Sequence, residues 1–364
     1  MRKSITIFML LSFALIAAGN CYAQQTEGSA LKKEHHWYKS EPFLFPKKNP
    51  NLKVLQLISV KGNSFVNPEG DTILFRGLSI ADPDKVEGEG HWNKNFFMKV
   101  KDMGTMLVRI PVHPIAWRER TPAAYLKLLD EAVEWCTELG MYVDIDWHSI
   151  GNLETELFQD PSYNTTRKET FEFWNAIAKH FKGNNTVAFY ELFNEPTTYS
   201  NTLGPATWEE WKKINEDLIT MIRAIDAEAI PLVAPFDWAY DLTPLLISPI
   251  NAERIGYVTH PYPHKRSQPW EPKWEEDFGF AAAKYPIIAT ELGFSTTGWR
   301  GEKIDTQDYG NRIVKFLESK GISWLAWVFD PDWSPQLLKS WDTYELTDSG
   351  KFFKEAVHAP KFKK

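Results

Sequence analysis

Cysteine is nearly absent, with two in 364 residues. Cys21 falls in a leader-like segment and leaves Cys136 alone, so no internal disulfide holds the exported chain and packing has to do so. Basic residues are outnumbered, 41 against 48 acids for a net charge of −7. The only basic cluster, Lys361, Lys363 and Lys364, reads as a solvated tail, which argues against nucleic acid as a partner. Beyond the leader no stretch approaches the roughly 20 apolar residues of a membrane helix, so no membrane partner is expected. No Gly-x-Gly-x-x-Gly follows the first strand-like segment, which counts against a dinucleotide-binding sheet. That segment, Gly77-Leu78-Ser79-Ile80-Ala81-Asp82, also lacks a His-x-His, against a metal-dependent barrel hydrolase.

The first residues read as an export signal. Arg2 and Lys3 precede an apolar run from Ile5 to Ala18, and Cys21-Tyr22-Ala23 offers a cleavage site after Ala23. The expected location is therefore secreted or periplasmic. Acylation at Cys21 is disfavoured by Asn20 before it. Residues 24–52 are polar and carry Pro42, Pro46 and Pro50, as an N-terminal arm would. Residues 53–364 are expected to form one catalytic domain, opened by a hairpin around Gly62-Asn63 and Pro68-Glu69-Gly70-Asp71 that is fit to plug the end of a barrel.

From there short apolar strands alternate with segments of helical period. The strands are Ile73–Ser79, Met106–Val112, Met141–Trp147, Val187–Phe193, Pro231–Ala234, Ile255–His260, Pro286–Glu291 and Ile322–Val328. The helices include Ala123–Leu139, Arg167–Phe181, Trp208–Ile225 and Thr306–Ser319. In the first of these Tyr125, Leu128, Leu129, Ala132, Val133 and Cys136 form one apolar stripe, which makes Cys136 a packing residue. Eight strand–helix repeats predict an α/β fold, a single (β/α)8 TIM barrel, whose site forms at the C-terminal ends of the strands.

Two glutamates stand at such ends. Glu195 follows the fourth strand in Asn-Glu-Pro, and Glu291 closes the seventh. Either alone could be an ordinary loop charge. A pair facing one pocket is what glycosidic cleavage uses, one carboxyl protonating the leaving oxygen while the other attacks or activates water. The chain also has 16 tryptophans beside 23 phenylalanines and 13 tyrosines, and flat indole faces can stack on sugar rings.

Val-Arg-Ile-Pro-Val, Asp-Trp-His, Leu-Phe-Asn-Glu-Pro, His-Pro-Tyr, Thr-Glu-Leu-Gly and Trp-Leu-Ala-Trp occur in this order at strand ends. In this the chain resembles glycoside hydrolase family 5, the family of many cellulases and mannanases, from about Leu74 to Trp327. The resemblance implies a retaining double displacement with no obligatory metal or cofactor. It implies Glu195 as acid/base and Glu291 as nucleophile. Arg109, His148, Asn194, His260, Tyr262 and Trp327 would complete the pocket.

Asn194 is suited to donate to the sugar 2-hydroxyl. Tyr262 and Arg109 are suited to donate to Glu291, holding it ionised with a lowered pKa, which leaves Glu195 as the proton carrier. His148 and His260 would orient hydroxyls or carboxylates, or else cap strand ends. Trp327 would floor a sugar ring, with Trp324 facing the opposite way into the core because three steps along a strand reverse the face. Trp238 and Trp299 are further substrate-binding candidates, and Asp82, His113, Trp117, Trp270 and Trp333 weaker ones.

The expected activity is endo-β-1,4-glucanase, with β-mannanase or xyloglucanase as the alternative. A metal-dependent barrel hydrolase and a non-catalytic carbohydrate-binding protein are the readings from other classes. The expected partner is a polysaccharide or oligosaccharide, met by a monomer.

Overall fold

The computed structural model describes residues 54–295 and 307–360. The leader, the arm and Trp299 lie outside the described residues. Eight parallel strands close a barrel: Arg76–Ile80, Leu107–Val112, Tyr142–Trp147, Val187–Glu191, Pro231–Val233, Gly256–Val258, Ile287–Leu292 and Ser323–Phe329, each paired with its chain neighbours and the last with the first. All eight coincide with the strands expected, within a few residues at each end. Strands covered on both faces read as near-continuous apolar runs. Exceptions here include the buried charges Arg76, Arg109, Asp144, Asp146, Glu191 and Glu291, all within strands.

The expected hairpin forms from Ser59–Lys61 and Ser64–Val66, paired antiparallel. Ile58 and Phe65 join Phe75, Leu107, Phe189, Leu232, Val258, Ile288 and Leu325 in one apolar cluster. Phe65 meets Phe189 edge-on at 4.8 Å. Phe75, Leu107, Leu232 and Ile288 lie at or next to the first residue of their strands, so the hairpin plugs the N-terminal end of the barrel. That leaves the opposite end free for chemistry.

The helices end where local chemistry dictates. Pro122–Leu139 begins with Thr121 accepting from the Ala124 N–H and proline in its first turn. It stops at Gly140, whose φ of 68° is costly for a residue with a Cβ. Its expected stripe, Cys136 included, is buried. Trp208–Ile225 opens with a reciprocal box between Thr207 and Glu210. At Gly77 a Cβ would lie 1.9 Å from the Leu107 carbonyl oxygen, so the first two strands can approach only over glycine.

Three register shifts interrupt the barrel: one lies between the third and fourth strands, where Val143 pairs with Val187 but Asp144 with Phe189, and the other two lie beside the site. Ala289 pairs with Trp324 but Leu292 with Ala326, so one extra residue is inserted in the seventh strand beside Glu291. Ala326 pairs with Leu78 but Phe329 with Ile80, so the eighth strand gains one beside Trp327. Bulges of this kind re-aim side chains. Trp324 stays in the core, its indole N–H donating to Glu318 at 3.0 Å, while Trp327 turns the other way, toward the cleft.

Candidate active site

The site is built on Arg109, rising from the middle of the second strand with no exposed surface. Its Nε and Nη2 donate to the two oxygens of Glu191 at 2.8 and 2.9 Å. Nη1 donates to Glu291 Oε1 at 2.7 Å, and Nη2 also to Asn194 Oδ1 at 2.7 Å. Nη2 lies 2.9 Å from Asp146 Oδ2 as well. Burial alone would favour loss of the arginine proton, but Asp146, Glu191 and Glu291 outweigh it and hold the guanidinium charged. Burial likewise opposes ionisation of Glu191, yet Arg109 and His260 draw it down to about 2.

Glu291 accepts from Arg109 and, at Oε2, from the Tyr262 hydroxyl at 2.8 Å. Both expected donors are therefore in contact with it, but the expected direction of its pKa is not what results. Burial raises Glu291 above the ordinary carboxylate value, Glu195 adds to the rise, and His260, Arg109 and Tyr262 only offset it. Sequence reasoning counted the donors and not the cost of enclosing the charge.

Glu195 sits beyond the fourth strand, in Glu195–Pro196, which pairs with Ile150–Asn152 in a small outer sheet. Its N–H donates to the Ser149 carbonyl at 3.1 Å, fixing the backbone from which the carboxylate reaches His260 Nδ1 at 3.0 Å. Asn194 Oδ1 is taken by Arg109, a group that can only donate, so its NH2 faces outward as a donor. Carboxylate oxygens of Glu195 and Glu291 and a ring nitrogen of His260 all lie within 4.8 Å of one another.

His148 is tied through Nδ1 to Asp146 at 2.6 Å. Burial, then His113 and Arg109, push it well below its ordinary pKa, which favours the neutral ring. Trp327 stacks on it, 5.5 Å between centroids and 5° between planes. Trp333 continues that surface, 6.0 Å from Trp327 at 13°. A cleft of about 590 Å³ opens there, lined also by Asp82, His113 and Tyr163, within the usual range of ligand sites. Asp82 accepts from both the backbone N–H and Nδ1 of His113, at 2.8 and 3.0 Å.

Across the barrel, beyond the fifth strand, Asp237, Trp238 and Ala239 have φ of 60°, 53° and 56°. Three successive left-handed residues cost on the order of 1 kcal/mol or more each. Lys265 holds the turn by donating to the Asp237 carbonyl at 2.6 Å, and the Trp238 indole donates to Gln159 at 2.9 Å. Trp238 is thus presented half-buried on the flank away from Trp327. Trp117 and Trp270 do not join the site. Both are buried, Trp117 against Phe173 and Trp270 against Trp274 and Tyr309.

Among the described residues two acidic groupings could close on a cation: Glu195 with His260 and Glu291, and Glu89 with Asp330 and Asp332. In the second the Lys85 ammonium already sits 2.8 to 2.9 Å from all three carboxylates.

Asp144, one turn of the pleat below Asp146, is fully buried and neither of its oxygens meets a donor. Burial raises its pKa well above the usual 3.8, and the Glu191 charge adds to the rise, so it carries a proton that it can give in a hydrogen bond to Glu191. Native Asp144 binds its proton more tightly than the unfolded chain does, so this residue's contribution to stability is present below about pH 3.8 and lost as pH rises above it. Asp144→Asn, neutral throughout, is expected to match the parent near pH 4 and exceed it at pH 8. The gain should be on the order of 1–3 kcal/mol, the cost of one poorly satisfied buried polar group. Denaturant melts at both pH values check this, and equal differences at the two would contradict it.

A closed parallel barrel with two glutamates converging from its fourth and seventh strands, flanked by indoles, defines the class of two-carboxylate (β/α)8 barrels. The chain belongs to glycosyl hydrolase family 5, whose family model, Cellulase, matches residues 66–332. It is 46% identical to a β-glucanase of Saccharophagus degradans crystallised with cellotetraose, over 89% of this chain and 98% of that one, with a TM-score of 0.83. It is 28% identical over 246 residues to an endoglucanase of Clostridium saccharobutylicum, 65% of this chain and 50% of that protein. The identity is again 28% over 224 residues with endoglucanase A of Butyrivibrio fibrisolvens, 58% and 46% of the two chains. The chain spans about half the length of these curated relatives.

Proposed function

We propose that the protein is a retaining, endo-acting glycoside hydrolase that cleaves β-1,4-linked glucan, with Glu291 as nucleophile and Glu195 as acid/base. The observation that carries this is the approach of the two carboxylates, with oxygens within 4.8 Å of each other. Direct attack needs carboxyls about 5–5.5 Å apart, whereas a water between them needs about 6.5–9.5 Å. The similarity to a β-glucanase crystallised with cellotetraose and to endoglucanases supports the choice of sugar.

In the first step a Glu291 oxygen bonds to the anomeric carbon as the glycosidic bond breaks, and Glu195 gives its proton to the departing oxygen. In the second, Glu195 takes a proton from water, whose oxygen displaces Glu291 from the same carbon, so configuration is retained. Arg109 and Tyr262 orient the attacking carboxylate. Burial, then the Glu291 and Glu195 charges, keeps the proton on Tyr262, so it stays a donor. The Asn194 NH2 meets the 2-hydroxyl, His148 hydrogen-bonds to a hydroxyl, and Trp327 floors the ring. Indoles on both flanks, Trp333 on one and Trp238 on the other, suit a chain running through the cleft.

Residues 53–364 would act as a single catalytic domain, a monomer, exported to the periplasm or beyond. The test is a panel of carboxymethylcellulose, mixed-linkage glucan, xyloglucan, glucomannan and xylan, read by viscosity and product length. Glucans should lose viscosity early and give mixed oligosaccharides, with equal rates in a chelator. Release of a single terminal sugar would contradict endo action, and loss of activity in the chelator would favour a metal at Glu195, His260 and Glu291.

A further inference from the structure

His260 has no exposed surface, and both of its ring nitrogens are engaged. Nδ1 lies 3.0 Å from Glu195 Oε1, and Nε2 lies 2.9 Å from the Thr290 hydroxyl. That hydroxyl lies 3.2 Å from Glu191 Oε1. Glu191 is ionised, with both oxygens bound by Arg109, and an ionised carboxylate only accepts. The single proton of Thr290 therefore goes to Glu191. The hydroxyl oxygen must then accept from His260, which requires a proton on Nε2.

From this geometry we infer that Thr290 is a positioning residue: it fixes the Nε2–H tautomer of His260, so that the exchangeable proton of the His260–Glu195 pair is confined to the line between Nδ1 and Glu195. The inference rests on the reading of Glu195 as acid/base. Before cleavage His260 Nδ1 and Glu195 share one proton along this line, and that proton leaves through Glu195 with the departing oxygen. During the life of the glycosyl ester the Glu195 carboxylate faces an unprotonated Nδ1. That repulsion makes Glu195 a stronger base toward water, and the proton it takes restores the starting state.

The charges facing this pair come from every neighbouring strand. Glu291 Oε2 lies 3.8 Å from Nδ1 and Glu191 Oε1 lies 3.7 Å from Nε2. Arg109 balances both carboxylates, protonated Asp144 lies against Glu191, and Asp146 is shared by Arg109 and His148. His264 and Lys265 feel the charge of Glu195 from the far side. Burial opposes the imidazolium, but Glu291, Glu191 and Glu195 push His260 up to about 9. The pair thus holds its proton through neutral pH.

Thr290→Val keeps the shape and removes the hydroxyl. Neutral His260 can then carry its proton on Nδ1 and donate to the Glu195 carboxylate, which stabilises the charged form, so that residue 195 gives up its proton at lower pH and is less available as a proton donor. The alkaline limb of kcat/KM should move down by about one pH unit or more, and Thr290→Ser should return it to the parental position. Independently of any activity, 15N spectra of histidine-labelled protein taken above the His260 pKa of about 9, with His260 assigned by its loss in His260→Asn, should find the proton on Nε2 in the parent and in Thr290→Ser, and on Nδ1 in Thr290→Val. A parental spectrum with Nδ1 protonated and Nε2 bare would overturn the inference. So would a Thr290→Val profile that falls uniformly without moving its limb, or a Thr290→Ser limb displaced as far as that of Thr290→Val. Failure of the substrate panel with the tautomer as stated would instead count against the catalytic reading.

Discussion

Glu291→Ala is expected to lower kcat on glucan by on the order of 10⁴–10⁶-fold, the range seen when an enzyme loses its nucleophile. Binding should survive, because the stacking surface of His148, Trp327 and Trp333 does not depend on that carboxylate. The fold should survive too. Arg109 keeps Glu191, Asp146 and Asn194 as partners, and burial already makes the Glu291 charge costly. A small anion such as azide fits the space left by the side chain, and should restore turnover with a product of inverted configuration. Titration by tryptophan fluorescence beside rate measurements separates the two effects. A rate within tenfold of the parent would remove Glu291 from the chemistry.

Glu195→Gln is the second large effect, and its signature is dependence on the leaving group. With unactivated glucan, loss of general acid catalysis should cost roughly 10²–10⁴-fold. With a dinitrophenyl cellobioside the phenolate departs without a proton, so the first step should be nearly unchanged. The second step still lacks its base. The expected record is a burst of phenolate followed by slow turnover, with a glycosyl ester on Glu291 visible by mass. Equal losses on both substrates would show that residue 195 acts by position rather than by proton transfer.

The fold was largely legible from the sequence because its signals are local and repeated. Strand-length apolar runs, helical stripes such as Tyr125 to Cys136, and caps at Thr121, Thr207 and Gly140 depend on near neighbours. The hairpin grammar around Gly62 led correctly to the plug beneath the barrel. The two glutamates and their companions were legible as residues, since strand ends share one rim. Their electrostatics were not. The rise in the pKa of Glu291 comes from enclosure, and the bulges beside Glu291 and Trp327 depend on pairing register between strands.

Some of what was missed did leave a trace. Asp144 lies inside an apolar strand and Glu191 closes Val187–Glu191, yet lone carboxylates in a buried strand need partners. That pattern should have pointed to Arg109 as their common counter-charge. Thr290 left none, because its role exists only once His260 and Glu191 meet across three strands. The same lack of long-range information made Trp117 and Trp270 look like subsite candidates when their rings are held by Phe173, Trp274 and Tyr309.

The stereochemistry of the first product tests the central claim most directly, because it reports the number of displacements at the anomeric carbon. Proton NMR of a cello-oligosaccharide digest, taken before mutarotation, should find the new reducing end as the β-anomer, with the α-anomer appearing only later. An initial α-anomer would mean a single displacement by water, and would contradict the assignment of Glu291 as nucleophile beside Glu195.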